Sequence, residues 1–196
     1  MKILAIADIH GDLGLVKKVE KLVKKEKVDL VLLGGDQTWF EQPVNKLVSP
    51  IAKVPTLMVH GNHEPESLVK AWEKMYPNVT NLHAKSFEKN GIGFFGTGTT
   101  DWGFKEDAKQ IFKELKKGHN EIKNFKKKVM VSHGPPAGSK IELMGFPGSY
   151  GVRKAMDKFK PDYVICGHIH EGGGIIEKIG NSKVVNVARK PFIFEI

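Results

Sequence analysis

The sequence has one cysteine, two arginines and no long apolar run, and each shortage excludes something. A lone Cys166 cannot form a disulfide within the chain. It lies in Tyr163-Val164-Ile165-Cys166, an apolar run in which a thiol packs as a small buried group and is not a redox or nucleophilic centre. No apolar stretch approaches the ~20 residues that a membrane span requires. The opening Met1–Ala7 runs straight into Asp8 and His10. It is too short for the apolar region of a signal peptide and carries no cleavage site, so a cytoplasmic location is expected. Arginine is confined to Arg153 and Arg189, and the formal charge of +9 is therefore carried almost entirely by lysine. Nucleic-acid surfaces recruit arginine for bidentate phosphate and base contacts. Lysine-rich helix faces such as Lys17, Lys18, Lys21, Lys24 and Lys25 fit a solvated surface better.

What is present reads as an α/β chain. With 196 residues, 40% of them apolar, one domain over 1–196 is expected. Short apolar strands at Lys2–Ala7, Val28–Leu33, Thr56–Val59, Ile92–Phe95, Val129–Ser132 and Tyr163–Cys166 alternate with helical apolar spacings. The helical sets are Leu15/Val19/Leu22/Val23, Ala108/Ile111/Phe112/Leu115 and Val152/Ala155/Met156/Phe159. Glu64-Pro65-Glu66 reads as the start of another helix, with proline and acids in its first turn. After Gly174 the pattern changes to short β segments around Ile175-Ile176, Val184-Val185 and Phe192–Phe194, which suggests antiparallel pairing.

Five strands end in turns bearing Gly, Asp, Asn or His: Ala7-Asp8-Ile9-His10, Gly35-Asp36, Gly61-Asn62-His63-Glu64, Ser132-His133-Gly134 and Gly167-His168-Ile169-His170. Ligands gather at the carboxyl ends of strands in open α/β sheets. The donors there are Asp8, His10, Asp36, Asn62, His63, His133, His168 and His170, all oxygen or imidazole groups. That set suits Mn²⁺, Fe²⁺ or Zn²⁺ and not a structural zinc–cysteine site. Asp8 and His10, like His168 and His170, are two residues apart, so a regular strand would point each pair to one face. The donors are too many for one ion with open positions, and two ions roughly 3.5–4 Å apart sharing a carboxylate would use them. Burying so many polar groups without a cation would be costly. His60, His83 and His119 stand outside these turns and read as structural.

In order and in context, these five blocks resemble those of the calcineurin-like metallophosphoesterases, and the compact length resembles the small archaeal and bacterial phosphodiesterases of that superfamily. The resemblance spans residues 1 to about 190. It implies a two-sheet β-sandwich flanked by helices. It places one metal on Asp8, His10, Asp36 and His170 and a second on Asp36, Asn62, His133 and His168, with Asp36 as the bridge. Mn²⁺ is the leading choice, with Fe²⁺, Zn²⁺ and Ni²⁺ as alternatives. The implied activity is hydrolysis of a phosphodiester or phosphomonoester by a hydroxide bridging the two metals. His63, adjacent to a ligand but outside the coordination, would protonate the leaving oxygen or stabilise the transition state.

The chain departs from the pattern at Trp39, where many members carry an acidic residue or Asn three positions after the Gly-Asp aspartate. Trp39 and Phe40 can be core, an apolar wall beside the metals, or a platform for a base. The substrate expected is a small, possibly nucleotide-like phosphoester, with no membrane partner. A nuclease and a non-catalytic scaffold of the same fold are the alternatives, and a homo-oligomer is open. Thr99, Thr100, Asp101, Trp102 and Phe104, with the loop Pro135–Tyr150, are expected to frame the site. Gly145–Ser149 reads as a mobile loop.

Overall fold

The computed structural model describes residues 1–39, 46–98 and 107–196. Phe40 and the expected framing residues Thr99, Thr100, Asp101, Trp102 and Phe104 lie outside them. The elements in chain order are β1 (Lys2–Ile6), α1 (Leu13–Lys25), β2 (Leu30–Leu33), β3 (Thr56–Met58), α2 (Glu66–Met75), β4 (Val79–Asn81), β5 (Ser86–Lys89), β6 (Ile92–Thr97), α3 (Ala108–Glu121), β7 (Lys127–Ser132), α4 (Tyr150–Phe159), β8 (Tyr163–Cys166), β9 (Ile176–Ile179), β10 (Ser182–Asn186) and β11 (Phe192–Glu195). Short 3₁₀ turns occupy Lys140–Met144 and His170–Gly172. Among the described residues no helix is long and apolar enough to cross a membrane.

Two sheets form a sandwich. One has the order β11-β1-β2-β3-β4 and the other β5-β6-β7-β8-β10-β9. The central strands are parallel and buried on both faces, which is why they read as unbroken apolar runs. Alternation sorts their side chains into layers. Ile3 and Ala5 of β1, Leu30 and Leu32 of β2, Phe94 of β6 and Val131 of β7 meet between the sheets. Leu4, Ile6, Val31 and Leu33 face outward onto Val16, Val19 and Val23 of α1 and onto Val69 and Trp72 of α2. On the other side Phe95, Met130 and Val164 pack against Leu115 of α3 and Ala155 and Met156 of α4. This is the α/β, two-sheet sandwich flanked by helices expected from the sequence.

The structure differs from the sequence reading in three places. Two strands escaped it: β4 has only three residues, and β5 alternates half-buried and charged positions. The carboxy-terminal segments are not all antiparallel. Strand β9 pairs antiparallel with β10, and β11 antiparallel with β1, but β10 runs parallel to β8. Helix α2 begins at Glu66, with Pro65 as its N-cap, and leaves Glu64 outside the helix and buried.

Candidate metal centre

The site lies where β1, β2, β3, β7 and β8 stop. Strand β1 ends at Ile6, and the turn after it departs from extended geometry at once. Asp8 (φ 57°) and His10 (φ 48°) are both left-handed, as are Asp36 (φ 54°) after β2 and His168 (φ 70°) after β8. Asp8 and His10 thus meet in one group for a reason other than the one expected, while His168 and His170 fall in different groups. Neither pair shares one face of a regular strand. Left-handed turns aim them, and His170 sits in a 3₁₀ turn.

Left-handed backbone costs a non-glycine residue about 1 kcal/mol or more and persists only where the surroundings over-determine it. Here the turns are bonded to one another. The Asp8, His10 and Gly11 amides donate to the carbonyls of Gly35, Asp36 and Gln37, and Gly167 donates to His133. The Asp8 carboxylate accepts the His168 amide at 2.9 Å, and the Asp36 carboxylate accepts the His63 amide at 2.9 Å. Glycine is required where turns touch. A Cβ on Gly61 would overlap the Asp36 carboxylate, and Gly35 (φ 98°) lies against the His133 ring.

The side chains converge in three overlapping groups, each with its donor atoms within 4.8 Å of one another: Asp8/His10/His170, His10/Asp36/His63 and Asp36/His133/His168. His170 Nε2 is 3.2 Å from Asp8 Oδ1 and 3.0 Å from His10 Nε2. His10 Nε2 is 3.7 Å and His133 Nε2 3.4 Å from the same Asp36 oxygen, which places Asp36 between the outer groups. Asn62 Oδ1 lies 2.9 Å from His133 Nε2 and 3.0 Å from His168 Nδ1. All seven expected ligands are therefore in one place. His63 Nε2 is 3.8 Å from Asp36 Oδ2, beside both outer groups.

The hydrogen bonding tests whether cations fit. A carbonyl can only accept, so His10 Nδ1, 3.1 Å from Thr38 O, and His133 Nδ1, 2.9 Å from Gly34 O, carry protons. In the neutral rings Nε2 then presents a bare lone pair, toward His170 Nε2 in one case and toward Asn62 Oδ1 in the other. Lone pairs that face each other at about 3 Å need a proton or a cation between them, and imidazoles anchored through Nδ1 are the usual orientation of metal-binding histidines. At His133, without a cation, a proton fills that place, and a bound metal would displace it. Burial alone would lower the pKa of His133, but the Asp36 carboxylate outweighs it and raises it to about 10. Asp36 is itself drawn down: burial opposes this, and His133 and the His63 amide overcome it. His168 is lowered to about 4 by burial and by His133, so it is a neutral donor. The residues can hold divalent ions.

Two further residues belong to this neighbourhood. Trp39 is not core. It is 46% exposed, its indole stacked on the His63 ring at 4.7 Å and 20°, with an edge contact to His10 at 4.9 Å. Glu64, which the sequence reading left in a helix, is 2% exposed and braces two of the turns. Its carboxylate accepts from Thr38 N (3.1 Å), Thr38 Oγ1 (3.2 Å) and Gly61 N (3.2 Å). Burial first, and Asp36 second, raise its pKa to about 7. Its place two residues after Asn62, in the same turn, was the signal that could have found it. His60 and His83 stand behind the site with ring centroids 4.7 Å apart, and His119 stacks on Phe159. The loop Pro135–Tyr150 carries exposed Leu143, Phe146 and Tyr150.

A profile of the calcineurin-like phosphoesterase family matches residues 1–172. An uncharacterized protein of Methanocaldococcus jannaschii is 28% identical over 206 residues, covering 98% of this chain and 90% of that one. Among solved structures, TT1561 of Thermus thermophilus shares the fold with a TM-score of 0.76 at 22% identity, over 96% of this chain and 90% of that one. A structure described as a novel archaeal phosphodiesterase has a TM-score of 0.57 at 18% identity, over 95% and 82% of the two chains. The chain belongs to the calcineurin-like phosphoesterase family.

Proposed function

We propose that the chain is a phosphodiesterase acting on small phosphoesters with two divalent cations. Asp8, His10, Asp36 and His170 would hold one ion, and Asp36, Asn62, His133 and His168 the other. Residues 1–196 work as one unit in this reading, with Mn²⁺ as the leading metal. The observation that carries it is the position of Asp36, whose one carboxylate oxygen faces His10 on one side and His133 on the other at 3.7 and 3.4 Å. Family membership supports phosphoester hydrolysis, and an archaeal phosphodiesterase shares the fold.

When bound, two such ions acidify a water to supply the nucleophile and offset the charge on the phosphoryl oxygens. The remaining work falls to the chain. Thr38 O and Gly34 O fix the rings of His10 and His133 so that Nε2 faces inward. The Gly61 and Gly35 backbones close the turns tightly enough for Asp36 to sit between the two groups. His63, 3.8 Å from Asp36, would meet the leaving oxygen. Burial lowers its pKa and outweighs the nearby Asp36, so near neutral pH it is an uncharged ring with one N–H to donate. That favours a hydrogen bond that strengthens as the leaving oxygen gains charge over full transfer of a proton already held.

The test is turnover of aryl phosphodiesters and monoesters by the Mn²⁺-loaded chain. Asp36→Asn should lose both metal uptake and turnover. His63→Gln should cut kcat by about 10²-fold or more while two metals stay bound. Full metal occupancy with no turnover of any ester would overturn the reading. Loss of metal in His63→Gln, with activity per bound metal intact, would overturn the role given to His63.

A further inference from the structure

A second site lies on the flank of the molecule. A groove of about 640 Å³ opens between α2, the turn joining β4 to β5, and α3. That volume lies within the range of small-ligand pockets. No residue of the metal centre lines it. Five lysines do: Lys70, Lys85, Lys113, Lys116 and Lys117. We propose that this groove binds a small oligophosphate anion, such as pyrophosphate or the phosphate tail of a nucleotide.

The charges argue for an anion. Two carboxylates, Glu66 and Glu114, also line the groove, and both are engaged. Glu66 accepts from Lys70 Nζ at 2.8 Å and from Asn81 at 3.1 Å. Glu114 accepts from the Thr97 hydroxyl at 2.6 Å and from Gln110 at 2.8 Å. Lys85 is shared with Glu73, at 3.4 Å. Lys113, Lys116 and Lys117 have no carboxylate within ion-pair reach among the described residues. They are spaced three and four apart on one face of α3, so their like charges face one another at a cost. A bound polyanion removes that repulsion and gains charge-assisted hydrogen bonds. His83 adds a ring N–H. Its Nδ1 accepts from the Gly98 amide at 3.1 Å, so its proton is on Nε2, on the side of Glu114.

The same residues favour a small ligand over a nucleic acid. No aromatic side chain other than the imidazole of His83 lines the groove, so bases have nothing to stack on. Neither arginine is there. Arg153 pairs with Asp157 on α4, and Arg189 pairs with Asp12 beside the metal centre. Of its lining residues His83 contacts a neighbour of the metal centre, its ring meeting that of His60 at 4.7 Å. His60 directly precedes Gly61 and Asn62.

Calorimetric titration of the full metal-loaded chain with pyrophosphate tests this, because the metal centre and the groove can be removed separately. His10→Ala/His168→Ala removes a ligand from each proposed ion and should leave one pyrophosphate site. In that background Lys113→Glu/Lys117→Glu should weaken binding by about tenfold or more, while the charge-matched Lys17→Glu/Lys21→Glu on α1 should change it by less than about twofold. If the double glutamate variant does not fold, Lys113→Gln/Lys117→Gln should still weaken binding severalfold. Loss of all binding in His10→Ala/His168→Ala would assign the anion to the metal centre alone. Equal weakening by both lysine pairs would show a net-charge effect. Binding of a single-stranded oligonucleotide in preference to pyrophosphate would replace the small ligand with a polymer. Each of these results overturns the proposal, and none depends on turnover.

Discussion

Glu64 offers the sharpest test of how the centre is built. Its carboxylate accepts the Gly61 amide and also the Thr38 amide and hydroxyl. Thr38 O in turn holds His10, and Gly61 precedes Asn62, so one buried side chain fixes the turns that carry a ligand from each outer group. Glu64→Ala leaves two buried amides without their acceptor. At about 1–3 kcal/mol per orphaned donor, partly relieved by water entering the space, the loss should be about 3 kcal/mol. Glu64→Gln keeps the shape and can still accept along one edge, and about 1 kcal/mol is expected. Urea unfolding of both variants measures this. Metal titration should show affinity lower by about 10- to 100-fold for Glu64→Ala, the cost of losing a residue that orients ligands.

The pH dependence gives the same residue a second, independent signature. An acid whose folded pKa is raised from 4.5 to about 7 is held preferentially as the neutral form in the fold. Its contribution is full below the unfolded pKa and is lost as pH rises from 4.5 toward 7, by about 3 kcal/mol at 1.36 kcal/mol per unit. Buried histidines such as His168, held neutral with a lowered pKa, add the opposite slope in wild type and variant alike. The signature is therefore the difference: chelated wild type should lose stability relative to chelated Glu64→Gln across that window. Bound cations lower the pKa of Glu64 and should shrink the difference. If Glu64→Ala unfolds within about 0.5 kcal/mol of wild type, with metal affinity unchanged, the bracing account is wrong.

Other perturbations follow from the same geometry. Trp39→Ala removes the surface on which His63 stacks and should lower kcat by about three- to tenfold with metal content unchanged, while Trp39→Phe should restore most of it in steady-state assays on one diester. Gly61→Ala drives a methyl into the Asp36 carboxylate and should abolish stoichiometric uptake of two metals, read by elemental analysis. Cys166 is fully buried, its thiol donates toward Val185 O at 3.5 Å, and burial pushes its pKa up. It should resist an aromatic disulfide reagent in native protein and react once in denaturant. Chelation should lower the unfolding midpoint without changing far-ultraviolet dichroism, because backbone bonds between turns, and not the ions alone, hold the ligands. Ion binding at 100 times Kd adds only about 2.7 kcal/mol.

The sequence made some of this legible for identifiable reasons. Parallel strands buried on both faces are apolar throughout, so Val31, Leu57 and Val131 mark their strands clearly, and a polar residue at such a strand's end stands out. That contrast exposed Asp8, Asp36, His133 and His168. Strand β5 gave no such contrast, because Ser86, Phe87, Glu88 and Lys89 sit at an edge and none is fully buried. Glu64 was hidden by ambiguity of another kind. An acid next to proline is a common helix opening, and nothing local shows that Pro65 turns the chain so that Glu64 points inward. The parallel pairing of β10 with β8 was likewise illegible. Pairing direction follows from where the chain returns after β9, which no residue of β10 encodes.

The backbone at the ligands carries the larger lesson. Same-face spacing on a regular strand brought Asp8 and His10 together through the wrong geometry and paired His168 with His170, which fall in different groups. The real geometry is more demanding. Four of the proposed ligand positions, Asp8, His10, Asp36 and His168, lie in a region that L-residues avoid, at about 1 kcal/mol or more each. A flexible chain would relax out of them. It does not here, because each strained turn donates or accepts across to another: Asp8 to Gly35, His10 to Asp36, His168 to Asp8, and His63 to Asp36. The two ligand carboxylates thus serve as structural acceptors through one oxygen, and leave the other oxygen facing the imidazoles. That division of labour holds Asp8 and Asp36 fixed in a buried site. It also means that neither can be replaced by asparagine without disturbing the turn and the cation together.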